Sequence, residues 1–204
     1  LDRSGSMQSI ADDTRGGFDA FIAKEREADG DTVVTLAQFD NVYELVYADR
    51  PIADVPPLVL SPRSATALYD AIGKLITDVG AALAARPERE RPGSVTVVVM
   101  TDGHENSSRE WTNSAVRSLI TQQENVYGWD FVFLGSNIDA VEVGADLGFD
   151  REKSMTYTSS PAGVAAAFES VSGYQGRKRT ARVAGAPPAA GFTPTERERS
   201  LGER

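Results

Sequence analysis

Residues 94–103, SVTVVVMTDG, place apolar and β-branched side chains at successive positions rather than alternate ones. A strand with one face in water alternates. A run without alternation belongs to a strand covered on both faces, the situation of a parallel sheet flanked by helices. Thr101-Asp102-Gly103 then sets a carboxylate just past the carboxyl end of that strand. Further along, Trp129 to Gly135 (WDFVFLG) repeats the buried pattern, and Lys153 to Tyr157 reads as a last strand.

Helical periodicity fills the intervals. Met7, Ile10, Thr14, Phe18 and Ile22 recur at steps of three and four over residues 7–28, and Leu68, Ile72, Leu75, Ile76 and Val79 do the same. Ser107, with Glu110 three residues on, carries the capping-box signature of a helix through Trp111, Ala115 and Leu119. Ser136 opens a short helix that Gly148 ends, and Ser160-Pro161 opens a last one. Asp31 to Phe39 and residues 42–48, joined at Asp40-Asn41, form an antiparallel hairpin. Prolines 51, 56, 57 and 62 mark an extended connection after it. Strands alternating with helices give an α/β fold: a doubly wound, mostly parallel sheet with helices on both faces and one antiparallel edge hairpin strand.

A length of 204 residues with 41% hydrophobic side chains suits one domain with a sizeable core. The absence of cysteine excludes disulfides, thiol catalysis and thiolate metal sites. No apolar run approaches the roughly 18 residues that a membrane span needs. The net charge of −9 is unevenly spread. From Tyr174 on there are seven Lys/Arg against three Asp/Glu, and before it 14 against 27, so the body stands near −13 and the tail near +4. An acidic body is the wrong surface for nucleic acid. The tail has few large apolar residues, so residues 174–204 are expected to be disordered and 1–173 to form the domain. Arg177, Lys178, Arg179 and Arg182 are then expected in a solvated tail without function, the alternative being contact with RNA or an acidic protein.

The oxygen-bearing side chains gather where such a fold binds ligands, beyond the carboxyl ends of its strands. Asp2, Ser4 and Ser6 (LDRSGSM) follow Leu1, the last residue of a strand by this reading. Alternate side chains of an extended segment point the same way, so one carboxylate and two hydroxyls share a target. Thr66 sits in the loop SPRSATALYD before a helix, and Asp102 after the buried strand. Hard oxygen ligands suit Mg²⁺, Mn²⁺ or Ca²⁺.

The Asp2-x-Ser4-x-Ser6 run, the Thr66 loop and Thr101-Asp102-Gly103 resemble, in order and spacing over residues 1–173, the metal-ion-dependent adhesion site of von Willebrand factor A (VWA) domains. The resemblance implies a Rossmann-like VWA fold and a single divalent cation, Mg²⁺ foremost. Ser4, Ser6 and Thr66 would be direct ligands, with Asp2 and Asp102 behind them through water or hydrogen bonds. It also implies the family's use of such a cation, metal-dependent binding of a partner protein through an Asp or Glu carboxylate. The likeness is nearest to bacterial, intracellular members, which implies a cytoplasmic location, with upstream targeting left open.

Two features depart from the family. Ser64 and Ala65 stand where small glycine-rich sequence is usual before the threonine. The family's central first strand should precede Asp2, and Leu1 is all of it that is present, so a truncated, poorly folded domain is expected. The competing reading is a Mg²⁺-dependent phosphohydrolase of haloacid-dehalogenase type. That chemistry needs an acid–base aspartate two residues after the first, where this chain has Ser4. His104, the single histidine, lies beside Asp102, but no G-x-S-x-G elbow accompanies it, and it reads as a loop residue at the rim.

Overall fold

The computed structural model describes residues 1–187 and 189–202. Five strands form: β1 (Val33–Phe39), β2 (Tyr43–Pro51), β3 (Thr96–Thr101), β4 (Asp130–Ser136) and β5 (Ser154–Tyr157). The run that lacked alternation is β3, and it is covered on both sides. Val97 and Val99 pack with Phe131 and Phe133 of β4 against one set of helices, while Met100, Val132 and Leu134 pack against another. The first set is α2 (Leu68–Ala84), α3 (Asn113–Tyr127) and α4 (Ala140–Leu147). The second is α1 (Ala11–Arg26) and α5 (Pro161–Val183). The architecture is the expected α/β one, with helices on both faces.

β3, β4 and β5 are parallel in that order, and β1 and β2 pair antiparallel as a separate two-stranded sheet. Leu1–Arg3 joins the two. Asp2 forms a parallel bridge with Phe39 of β1, and its N–H donates to the Met100 carbonyl of β3 (2.9 Å). The Arg3 N–H donates to the Phe39 carbonyl (2.7 Å) and the Phe39 N–H to the Leu1 carbonyl (3.1 Å).

Two local expectations need correction. Ser107 does not cap a helix: α3 starts at Asn113 with Thr112 as its cap, and residues 102–112 form a loop. Here a carboxylate nearby in the loop and one on α2 outcompete the local box. Glu105 accepts from the Ser107 and Ser108 N–H groups, and Asp70 of α2 accepts from those of Arg109, Glu110 and Trp111. Likewise Asp139, not Ser136, caps α4, since Ser136 is still in β4.

The largest difference lies in the segment expected to be disordered from residue 174. α5 runs on to Val183, and a further helix, α6 (Pro194–Ser200), follows with a complete Thr193/Glu196 capping box. Side-chain ionic contacts replace apolar ones there. Arg177 grips Glu196 with two 2.9 Å bonds, Lys178 meets Asp130 (2.7 Å), Arg179 meets Glu25 (2.7 Å), and Arg182 donates to the Gly93 carbonyl (2.5 Å). These four basic residues bind the chain's own acids and carbonyls rather than lying in a free tail. Phe192 is buried against Tyr174, with ring centroids 6.0 Å apart.

Candidate metal centre

Leu1–Arg3 is extended between β1 and β3, and a short 3-10 turn, Gly5–Ile10, carries the chain into α1. Asp2 and Ser4 therefore sit at the carboxyl ends of the strands with their backbone already paired. The Asp2 carboxylate is wholly buried and accepts from the Ser4 N–H (2.6 Å) and the Thr101 hydroxyl (2.5 Å). Ser4 Oγ lies 3.0 Å from Ser6 Oγ, and the Ser6 hydroxyl donates to Asp102 Oδ1 (2.6 Å). Ser6 is exposed, whereas Ser4, Thr66 and Asp102 are at most 3% exposed, so the cluster opens outward at Ser6.

Thr66 is brought in by its neighbours on both sides. The Arg63 N–H donates to the Arg3 carbonyl and the Gly5 N–H to the Ser64 carbonyl, so residues 63–64 run alongside 3–5. Ser64 takes a left-handed backbone (φ 62°), a conformation that the glycine usual in such loops adopts without strain. On the far side, Asn106 Oδ1 accepts from the Thr66 N–H, and the Thr66 carbonyl accepts from Asn106 and Ser107. A methyl group at Gly103 would lie 3.6 Å from Ser6 Oγ and 3.9 Å from Thr66 Oγ1, so both hydroxyls border that glycine. Asp2, Ser4, Ser6, Thr66 and Asp102 thus come together from three loops. Sequence reasoning missed the residues that hold them: Thr101, visible in the Thr-Asp-Gly run, and Asn106, Glu105 and Asp70, which no local pattern marks.

The donor set suits a hard cation. Among the described residues no group of three or more His, Cys, Asp or Glu side chains that could hold a metal ion is present, and the oxygens gathered here are three hydroxyls backed by two carboxylates. Neither Asp2 nor Asp102 has a basic side chain within ion-pair distance among the described residues. Burial raises the Asp102 pKa by more than the Ser6 hydroxyl lowers it, and the Asp2 charge adds to the rise. Two buried, unpaired carboxylates close together are costly unless positive charge sits between them. Arg3, the nearest basic residue in sequence, instead donates to Asp40 (3.0 Å) and Glu44 (2.5 Å). Arg63 joins it at Asp40 (2.8 Å).

No family model matches the sequence, and no curated protein sequence does either. Solved structures do match in fold. Proximal thread matrix protein 1 of the mussel byssus superposes in two crystal forms with TM-scores of 0.59 and 0.54 at 16% identity, over 84% of this chain and 43% of that one. A von Willebrand factor type A structure from Catenulispora acidiphila gives a TM-score of 0.54 at 14% identity, over 87% of this chain and 41% of that one. The chain spans less than half the length of these proteins. Among the described residues no helix is long and apolar enough to cross a membrane. The fold is of the von Willebrand factor A type.

Proposed function

We propose that this chain is a metal-dependent protein-binding module. Ser4, Ser6 and Thr66 hold one divalent cation, Mg²⁺ foremost with Mn²⁺ and Ca²⁺ as substitutes, while Asp2 and Asp102 orient the hydroxyls and balance the charge. The observation that carries this reading is the pair of buried carboxylates that, among the described residues, have no basic side chain within ion-pair distance and lie beside the hydroxyls of Ser4, Ser6 and Thr66. A cation held by neutral hydroxyls keeps much of its charge and attracts an anionic oxygen from outside. The exposed Ser6 side is where a partner's Asp or Glu would approach. The phosphohydrolase reading finds less support, because Asp2 lies buried behind Ser4 and is engaged by the Ser4 N–H and the Thr101 hydroxyl.

Calorimetric titration with Mn²⁺ and Mg²⁺ tests the site. Wild type should bind one ion per chain, and Ser4→Ala/Ser6→Ala should bind at least about tenfold more weakly, the lower end of what lost metal-site partners cost. Equal affinity in the two proteins would remove the assignment.

A further inference from the structure

We propose that the carboxy-terminal helix α6 holds the Thr101–Gly103 loop in place through Tyr157, making Tyr157 and Ser200 positioning residues of the candidate metal centre. The link to metal rests on the function proposed above; the mechanical tie stands on its own contacts.

β5 is the last strand of its sheet, so the backbone groups on its outer side have no strand to pair with. α6 supplies the partners. Arg197 donates to the Ser154 carbonyl (2.7 Å), the Ser200 hydroxyl to the Thr156 carbonyl (2.7 Å), and the Thr158 N–H to the Ser200 carbonyl (2.9 Å). Ser200, itself fully buried, therefore binds the backbone on either side of Tyr157. Buried edge groups left without these partners would be strongly disfavoured.

Tyr157 carries the tie inward. Its ring lies in the α1/α5 side of the core, where phenylalanine would bury the same apolar surface, and its hydroxyl donates to the Thr101 carbonyl (3.2 Å). That carbonyl belongs to the peptide leading into Asp102. Thr101 is thus fixed at its carbonyl by Tyr157 and at its hydroxyl by the Asp2 carboxylate. The same hydroxyl lies 3.3 Å from the Gly103 N–H, which donates to it. One residue carries restraint from β5 to both acids. α6 is itself anchored away from the site, by the Arg177–Glu196 pair and by buried Phe192. A partner or modification that lifted α6 would loosen the loop, and by reciprocity a cation there would tighten α6.

The test compares the full chain with Tyr157→Phe, Ser200→Ala and Ser200→Thr. Amide exchange of residues 101–104 in metal-free protein reads the tie, and Mn²⁺ affinity by titration reads its consequence. Tyr157→Phe should speed exchange at 101–104 while leaving β4 protected, and should weaken Mn²⁺ binding about tenfold. Ser200→Ala should act in the same direction but less, and Ser200→Thr, which keeps the hydroxyl, should restore both. Unchanged exchange at 101–104 in both Tyr157→Phe and Ser200→Ala would overturn the proposal. Wild type that binds no Mn²⁺ while both variants still speed exchange would sink the metal reading and leave the tie established.

Discussion

Phe192→Ala tests whether the carboxy-terminal segment is part of the folded domain. Phe192 is 7% exposed, packs on Tyr174, and stands between α5 and α6. Its own N–H donates to the Glu152 carbonyl (2.9 Å), and Arg197 lies over its ring. Truncation removes nearly a whole aromatic side chain from the core, and such changes cost about 3–5 kcal/mol. The site is near the surface and partly able to collapse, so the lower figure of about 3 kcal/mol applies. For a domain of this size each kcal/mol moves the melting temperature by about 2–4 °C, giving a fall of about 6–12 °C. Thermal unfolding followed by circular dichroism, with urea titration beside it, reads the change. Val183→Ala is the control, because Val183 is 90% exposed at the end of α5 and should leave the melting temperature unaltered. A Phe192→Ala protein melting with wild type would show that residues 189–202 do not dock.

Two further substitutions probe the charged and packed supports of the fold. Asp130 accepts from Lys153 (2.8 Å), Lys178 (2.7 Å) and Tyr174 (2.9 Å); burial works to raise its pKa, but the two ammonium groups overcome this and hold it below the ordinary carboxylate range. A depressed folded pKa contributes stability above the unfolded value of about 3.9 and loses it as pH falls through the folded value. Asp130→Asn should therefore cost about 3 kcal/mol at neutral pH and flatten the loss of stability on acidification; an unchanged acid limb in urea titrations would contradict this. Gly73→Ala would put a methyl group 2.1 Å from the Trp111 ring, so the ring must leave α2 at a cost of about 1–3 kcal/mol, with a red shift in tryptophan emission. Emission identical to wild type would mean that Trp111 does not pack there.

The strands and first helices were legible because burial writes a period into sequence. β3 lies within the run that lacked alternation, β4 is displaced from its run by one residue, and α2 follows its apolar steps almost to the residue. The carboxy-terminal region was not legible by that signal, because past Tyr174 its contacts are mostly ionic and polar, with Phe192 as an isolated apolar anchor. The apolar steps of α5 end at Tyr174, after which Arg177, Lys178 and Arg179 reach acids far away in sequence. A local mark of α6 did exist, in Thr193-x-x-Glu196. The same signature misled at Ser107 and Glu110, where Asp70 and Glu105 had captured the amides. A capping box identifies a helix start only when no other carboxylate, near or far in sequence, competes for its N–H groups.

At the candidate metal centre, sequence supplied the oxygen atoms and structure supplies the charge. LDRSGSM places a basic residue, Arg3, between the first two motif positions. The extended backbone of Leu1–Arg3 turns Arg3 away from its neighbours. Its guanidinium goes to Asp40, which is itself buried, and to Glu44 on the edge hairpin. Burial works against the Asp40 charge, but Arg63 and Arg3, with the Val42 N–H, keep its pKa low. The arginine is thus neutralised on the hairpin side. Asp2 and Asp102, on the other side, have only hydroxyl and backbone donors among the described residues. Alternation along three residues thus keeps a fixed positive charge beside the two acids without placing it between them.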